Sequence, residues 1–156
     1  MSRFKFGILG GDYRYKLLYD LLLSEGYSVK IWGNSFSSRN EENFSELLED
    51  TDVLIGPIPT TKDGESVCLT DFLSVYLEKL FEEMYRKNIS VYIGGVITAE
   101  TKALALKYNI KTYDFFACEE VAVYNAIPAA EGAISTAIQE SDITLFASRT
   151  LVLGYG

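Results

Sequence analysis

No histidine occurs among the 156 residues. Its absence removes the commonest general base and zinc ligand, and with them every Ser-His or Cys-His nucleophile pair. Cysteine is nearly missing as well. Cys68 and Cys118 stand far apart in no metal-binding spacing, so no metal site is expected. Both suit a reduced cytoplasm and are expected to be small core residues. Positive charge is scarce: 14 lysines and arginines face 22 acids, a net charge of −8. That balance argues against a nucleic-acid or anionic-membrane surface. An anionic ligand would depend on a few local cations and backbone N–H groups. No apolar run approaches a membrane-spanning length, and the run behind the first six residues is too short for a signal peptide. Apolar residues, by contrast, make up 48% of the chain, enough for one domain with a buried core.

Along the chain, short apolar runs alternate with helical patterns. Strands are expected at residues 4–9 (FKFGIL), 27–32 (YSVKIW), 52–55 (DVLI), 90–93 (SVYI) and 111–113. Helices are expected over 14–24, closed by Gly26, and over 44–49. A third carries Leu77, Leu80, Phe81, Met84 and Tyr85, and a fourth is capped by Thr98 with Glu100 in its first turn. Residues 35–42 read as loop, 56–64 as a turn-rich loop set by Pro57 and Pro59, and 65–74 as strand or helix. This alternation predicts an α/β fold, a parallel sheet with helices on both faces. Such sheets bind ligands outside the carboxyl ends of their strands. In this chain those ends are glycine-rich: Gly10–Arg14, Gly56–Gly64 and Gly94–Val96.

Three constellations follow. In Gly10-Gly11-Asp12-Tyr13-Arg14, an acid stands where a dinucleotide fingerprint has its second glycine. Backbone N–H groups and Arg14 are candidates to face an anionic substrate; a tight turn with Asp12 capping the helix is the other reading, compatible with the first. In GPIPTTKDG, Thr60, Thr61 and Lys62 are donors suited to a small dicarboxylate and Asp63 a candidate for proton transfer, against a plain surface loop with solvated charges. Gly94 and Gly95 complete the candidate substrate face.

The tail reads differently. A helix carries Asn125 and Pro128, and proline should stop it, so that Ala129 opens a second helix reaching about Ser141. Ala129, Ala133 and Ala137 recur four apart, giving a face for close packing. Residues 150–156 (TLVLGYG) have the strand-then-Gly-x-Gly form that opens a dinucleotide-binding unit, with Gly154 and Gly156 as its first two glycines. The third glycine, its helix and the ribose-reading acid would lie beyond Gly156. The expected layout is therefore a substrate domain over 1–128, an inter-domain helix and joint over 129–147, and at 148–156 the first strand of an incomplete Rossmann domain.

Taken together, GGDYR, GPIPTTKDG and above all YNAIPAAEGAISTAIQ running into LVLGYG resemble the A subunits of dipicolinate synthase, from spore-forming bacteria. The resemblance is tightest over 119–156 and loosest over 35–49 and 65–87. More distantly the layout is similar to D-2-hydroxyacid dehydrogenases, in which a flavodoxin-like substrate domain precedes a helix crossing into a Rossmann domain. The resemblance implies oxidation of a dihydrodipicolinate-type precursor to pyridine-2,6-dicarboxylate during sporulation. It implies NAD(P) as hydride acceptor and, for a partner, a flavoprotein-like B subunit. A cytoplasmic homo-oligomer is expected, with the chain itself inactive for want of a complete cofactor domain. A partner-docking module of the same fold is the competing expectation, and a stand-alone nucleotide-binding protein using residues 10–14 a third.

Overall fold

A computed structural model describes residues 4–34, 43–69 and 73–154. The expectation of a loop over 35–42 and the second tail glycine, Gly156, fall outside these residues. The chain divides into two units, Met1–Ala117 and Cys118–Gly156.

The first unit is built from five strands, β1 (Lys5–Leu9), β2 (Ser28–Trp32), β3 (Val53–Ile55), β4 (Val91–Gly94) and β5 (Lys111–Asp114). Between them run α1 (Tyr13–Ser24), α2 (Phe44–Leu48), α3 (Leu77–Arg86) and α4 (Ala99–Lys107). All strands are parallel, in the order β2-β1-β3-β4-β5. This is the flavodoxin-like order, whose direction reverses between β1 and β3, so the ligand crevice of such sheets falls outside those two carboxyl ends. The expected parallel α/β sheet is the observed one.

Alternate residues explain why the strands are continuous apolar runs. Ile8, Ile31 and Ile55 face α1, packing with Tyr15, Leu18 and Leu22. Their neighbours Leu9 and Leu54 point the other way, into a larger core with Leu47 and Leu48 of α2 and with Leu77, Leu80, Phe81 and Met84 of α3. Each of those four α3 side chains is at most 1% exposed, and burying one contributes about 1.5–3 kcal/mol. Glu78, Glu82 and Glu83 lie on the opposite side, where Lys79 and Arg86 pair with the latter two. Caps agree with the sequence at two helices. Asp12 accepts from the Arg14 N–H at 3.0 Å, and Thr98 accepts from the Thr101 N–H at 3.2 Å. A third cap, Asn43 on α2, went unread; its side chain accepts from the Glu46 N–H at 3.0 Å.

The second unit consists of one long helix, α5 (Glu119–Gln139), and a tail that forms no strand among the described residues. Pro128 does not end the helix as expected; it lies inside a single 21-residue helix. Proline removes one N–H donor and strains the preceding turn, yet the helix runs on through Ala129, Ala130 and Glu131, which are strong helix formers. The two cysteines also depart from expectation. Cys68 is only partly buried, and Cys118 is exposed, because it stands at the N-terminal boundary of α5 instead of inside a packed layer.

Candidate functional site

The turn after β1 is formed by Gly10 and Gly11, with φ of +66° and +92°, a region open to glycine at little cost. Gly10 donates its N–H to the Trp32 carbonyl at 2.7 Å, tying this turn to the end of β2. Asp12 then caps α1 and also receives the Arg14 side chain, with Nε 2.9 Å from Oδ1 and Nη2 2.7 Å from Oδ2. The guanidinium holds the Asp12 carboxyl below its usual range, and Asp12 in turn raises Arg14. Both side chains are more than half exposed, so water screens the pair and its net worth is about 0–1 kcal/mol. An incoming carboxylate could replace Asp12 at small cost. The two readings of this turn therefore coexist: it is a cap, and it keeps a guanidinium at the sheet's carboxyl edge.

Neighbouring loops are knitted to it. The Tyr15 hydroxyl donates to the Gly56 carbonyl at 2.9 Å, joining α1 to the loop after β3. Thr60 donates its N–H to the Gly95 carbonyl at 2.9 Å, joining that loop to the end of β4. Thus Gly10, Gly11, Thr60, Thr61 and Gly95 lie on three adjoining loops, with Arg14 in the first turn of α1 and Gly94 at the end of β4. The glycine after β3 and the one that ends β4 have a packing reason. A Cβ on Gly56 would overlap the Tyr92 phenol, and one on Gly94 would overlap both Tyr92 and the Thr60 hydroxyl. Burial pushes the Tyr15 and Tyr92 phenols up, so both keep their protons.

The threonines and Asp63 are engaged internally. Thr60 is fully buried, with its Oγ1 3.4 Å from the Tyr92 hydroxyl. Thr61 donates its hydroxyl to Asp63 at 3.0 Å and accepts from the Gly64 N–H at 2.9 Å. Asp63 also accepts from the Ser66 hydroxyl and from the Ser66 and Glu65 N–H groups, both 2.8 Å away. These donors, the Ser66 side chain first, hold its carboxyl far below the usual carboxylate range. A carboxylate stabilised in this way is a poor proton acceptor at neutral pH. The geometry suits Asp63 to clamping the 61–66 turn.

A cavity of about 270 Å³ opens beside this turn, lined by Lys62, Asp63, Ser66, Cys68 and Leu69 among others. Leu69 also lies against Gly10 and Gly33, the residues that follow β1 and β2. The cavity is therefore at the carboxyl edge, with Lys62 as an exposed cation on its wall. A larger cavity, about 400 Å³, lies on the flank between Tyr76–Glu78 and the end of α4. Its wall carries Glu65, Glu78 and Lys107, two acids to one cation, and of the three carboxyl-edge loops it touches only Gly64, so the smaller one is better placed for a ligand at that edge.

A family model described as the N-terminal domain of the dipicolinate synthase A subunit matches residues 5–116. The chain belongs to this family. The A subunit of dipicolinate synthase from Bacillus subtilis (strain 168) is 27% identical over 163 residues, an alignment covering 100% of this chain and 54% of that protein. The crystal structure of that B. subtilis protein superposes with a TM-score of 0.73, at 24% identity, covering 92% of this chain and 50% of that one. The corresponding structure from Bacillus halodurans gives 0.76 at 24% identity, covering 91% and 50%. The chain spans about half the length of the relatives it matches.

The matched dipicolinate synthase domain coincides with the sheet-bearing unit and contains every candidate substrate residue. Gly154 lies beyond it, with φ +104° and nothing within 4 Å of the position of an added Cβ. Among the described residues no cluster of acids and cysteines could hold a metal, and no helix is long and apolar enough to cross a membrane.

Two features of this edge escaped the sequence reading, the role of Asp114 and the backbone of Val96. Asp114, at the end of β5, accepts from the N–H groups of Val96 (3.1 Å), Ile97 (2.8 Å) and Phe116 (3.0 Å). Val96 itself has φ +55°. Neither leaves a local sequence signal, since Asp114 ends an ordinary strand and Val96 follows a glycine pair that itself looks sufficient for a turn.

Proposed function

We propose that residues 5–116 are the substrate-side domain of a dipicolinate synthase, on its A subunit, where a small dicarboxylate is received at the carboxyl edge of the sheet. The observation that carries this reading is the Arg14–Asp12 pair beside the glycine turn, inside a domain of this family: an exposed guanidinium whose present partner is itself a carboxylate. Lys62, on the wall of the neighbouring cavity, supplies a second cation. Gly10, Gly11, Gly94 and Gly95 bring backbone close to the same edge, while Thr60, Thr61 and Asp63 keep the loop in shape behind it.

In the complete reaction the substrate would be a dihydrodipicolinate-type precursor, oxidised to pyridine-2,6-dicarboxylate during sporulation, with NAD(P) taking the hydride. The described residues do not build a cradle for that nucleotide. Gly154 has nothing within 4 Å of the position of an added Cβ, and no described strand pairs with the segment before it. No step is assigned to the cofactor, and residues 5–116 are proposed to bind the dicarboxylate on their own. A cytoplasmic setting and a flavoprotein-like B subunit belong to the same proposal.

A second reading is favoured by α5, whose Val123, Tyr124, Ile127, Ile134 and Ile138 are all more than half exposed. On that reading the chain is a docking module, for the B subunit or for a second copy of itself. Calorimetric titration separates the possibilities. Saturable binding of pyridine-2,6-dicarboxylate, with none of NAD(P), is the expected result. Binding of neither favours the docking module, and binding of the nucleotide, or turnover with it, contradicts the proposal.

A further inference from the structure

The left-handed backbone region is disfavoured for side-chain-bearing residues, least so for Asn and Asp and most for β-branched ones. Among the described residues, five that are not glycine adopt it: Asp50, Asn88, Val96, Asn109 and Ala147. Three of the five are Asp or Asn, the types that tolerate it. Val96 is the β-branched member, and glycine would occupy its place without strain. Its side chain is 50% exposed, so the strain is not offset by burial in the core. The backbone is instead held from outside. Asp114 points both carboxylate oxygens at this turn and takes the N–H groups of Val96 and Ile97. Strained residues held by their surroundings in this way concentrate at functional sites.

The residue before Val96 is packed among apolar groups of the carboxyl edge. A Cβ on this residue, Gly95, would press on Ile58, from the loop after β3, and on Phe116, just after β5. Phe116 in turn packs against Phe115, ring centroids 5.3 Å apart. The carboxylate that sets the turn accepts from three N–H groups, and Val96 itself is half exposed. We infer that Val96 is an apolar contact residue for the ring of the ligand and that Asp114 is the positioning residue that holds it there. This rests on the proposed dicarboxylate-binding function and adds the part of the site that reads the ring, as Arg14 would read the carboxylate.

Two variants in the full chain test it, with thermal unfolding and titration of pyridine-2,6-dicarboxylate as readouts. Val96→Gly relieves the strain and removes the contact. It is expected to raise Tm by about 2–4 °C and to weaken binding about threefold to tenfold. Asp114→Asn leaves one acceptor oxygen where two are used. It is expected to speed amide exchange at Val96 and Ile97 and to weaken binding in the native background, but not further in the Val96→Gly background, because the two residues act as one device. A lower Tm for Val96→Gly would make Val96 an ordinary packing residue and overturn the inference, as would binding as tight as that of the native chain. If the native chain binds no dicarboxylate, the functional proposal falls and with it the ligand assigned to Val96, while a raised Tm would still sustain the strained presentation of this side chain.

Discussion

The two units of this chain use apolar residues in opposite ways. Among the described residues, every buried apolar side chain lies at or before Ile110, while from Cys118 to Gly154 no residue is buried. In the first unit each helix gives up one face to the sheet. In α5, Val123, Ile127, Ile134 and Ile138 follow one another at steps of four, seven and four, which keeps them on one side of the helix, and that side is uncovered. Local hydrogen bonds and helix propensity suffice to write α5, but isolated helices are marginal in water without tertiary cover. The contrast teaches that the first unit carries its own stability, whereas the second takes its stability from whatever covers it.

The largest effect expected from this contrast is on folding. Phe81→Ala should remove about 3–5 kcal/mol of stability, whereas Ile134→Ala, in dilute solution, should change it by less than about 0.5 kcal/mol. Urea unfolding of the two variants checks this, and comparable losses would erase the distinction between the units. Next comes association. The tail carries Ile143, Phe146, Leu151, Val152 and Leu153, each at least 70% exposed. Stable interfaces bury roughly 800 Å² per partner, and the tail and the apolar side of α5 are exposed apolar segments that could contribute to one. An uncovered apolar segment exchanged between copies is also a low-cost route to dimers. Light scattering should therefore give a dimer mass for the full chain and a monomer mass for one ending at Ser141; two monomers would rule out the tail as the cause.

A smaller effect is expected within the first unit. Arg14→Ala should weaken dicarboxylate binding about tenfold or more, a charge-assisted hydrogen bond being worth roughly 1.5–3 kcal/mol. Thermal unfolding should barely move, because the Arg14–Asp12 pair is exposed and screened. Unchanged affinity would shift the anion site to Lys62. The smallest effect concerns Asp63. Its folded pKa is depressed, so its contribution to the 61–66 turn is fully present above the unfolded value near 3.9 and is lost as pH falls through the lower folded value. An NMR titration of the Asp63 carboxyl should find its midpoint below that of a free aspartate; a midpoint at or above about 3.9 would break the clamp described for it.

Legibility in the sequence follows the same division between local and distant causes. Strands buried on both faces are continuous apolar runs, so FGIL, VLI and VYI could be read directly, as could the caps Asp12 and Thr98, whose partners lie within three residues. The carboxyl-edge glycines were visible, but their reason was not. Tyr92 lies under Gly56 and Gly94, and it reaches Gly56 only through the pairing of β3 with β4. Thr60 looked like a surface donor because nothing local announces that it is buried against Tyr92. Pro128 misled because the local rule against proline in helices does not hold here: α5 continues through it into Ala129, Ala130 and Glu131. Asp114 and Val96, eighteen residues apart, meet only once β4 and β5 are paired.

The most direct test of the division of labour is to titrate pyridine-2,6-dicarboxylate into the isotopically labelled full chain and follow every backbone amide by NMR. Saturable shifts are expected at Gly10–Arg14, at 60–63 and at Gly94–Ile97, with residues 118–154 unmoved. Shifts confined to residues 118–154, or no saturable shift anywhere, would contradict a dicarboxylate site at the carboxyl edge of the sheet.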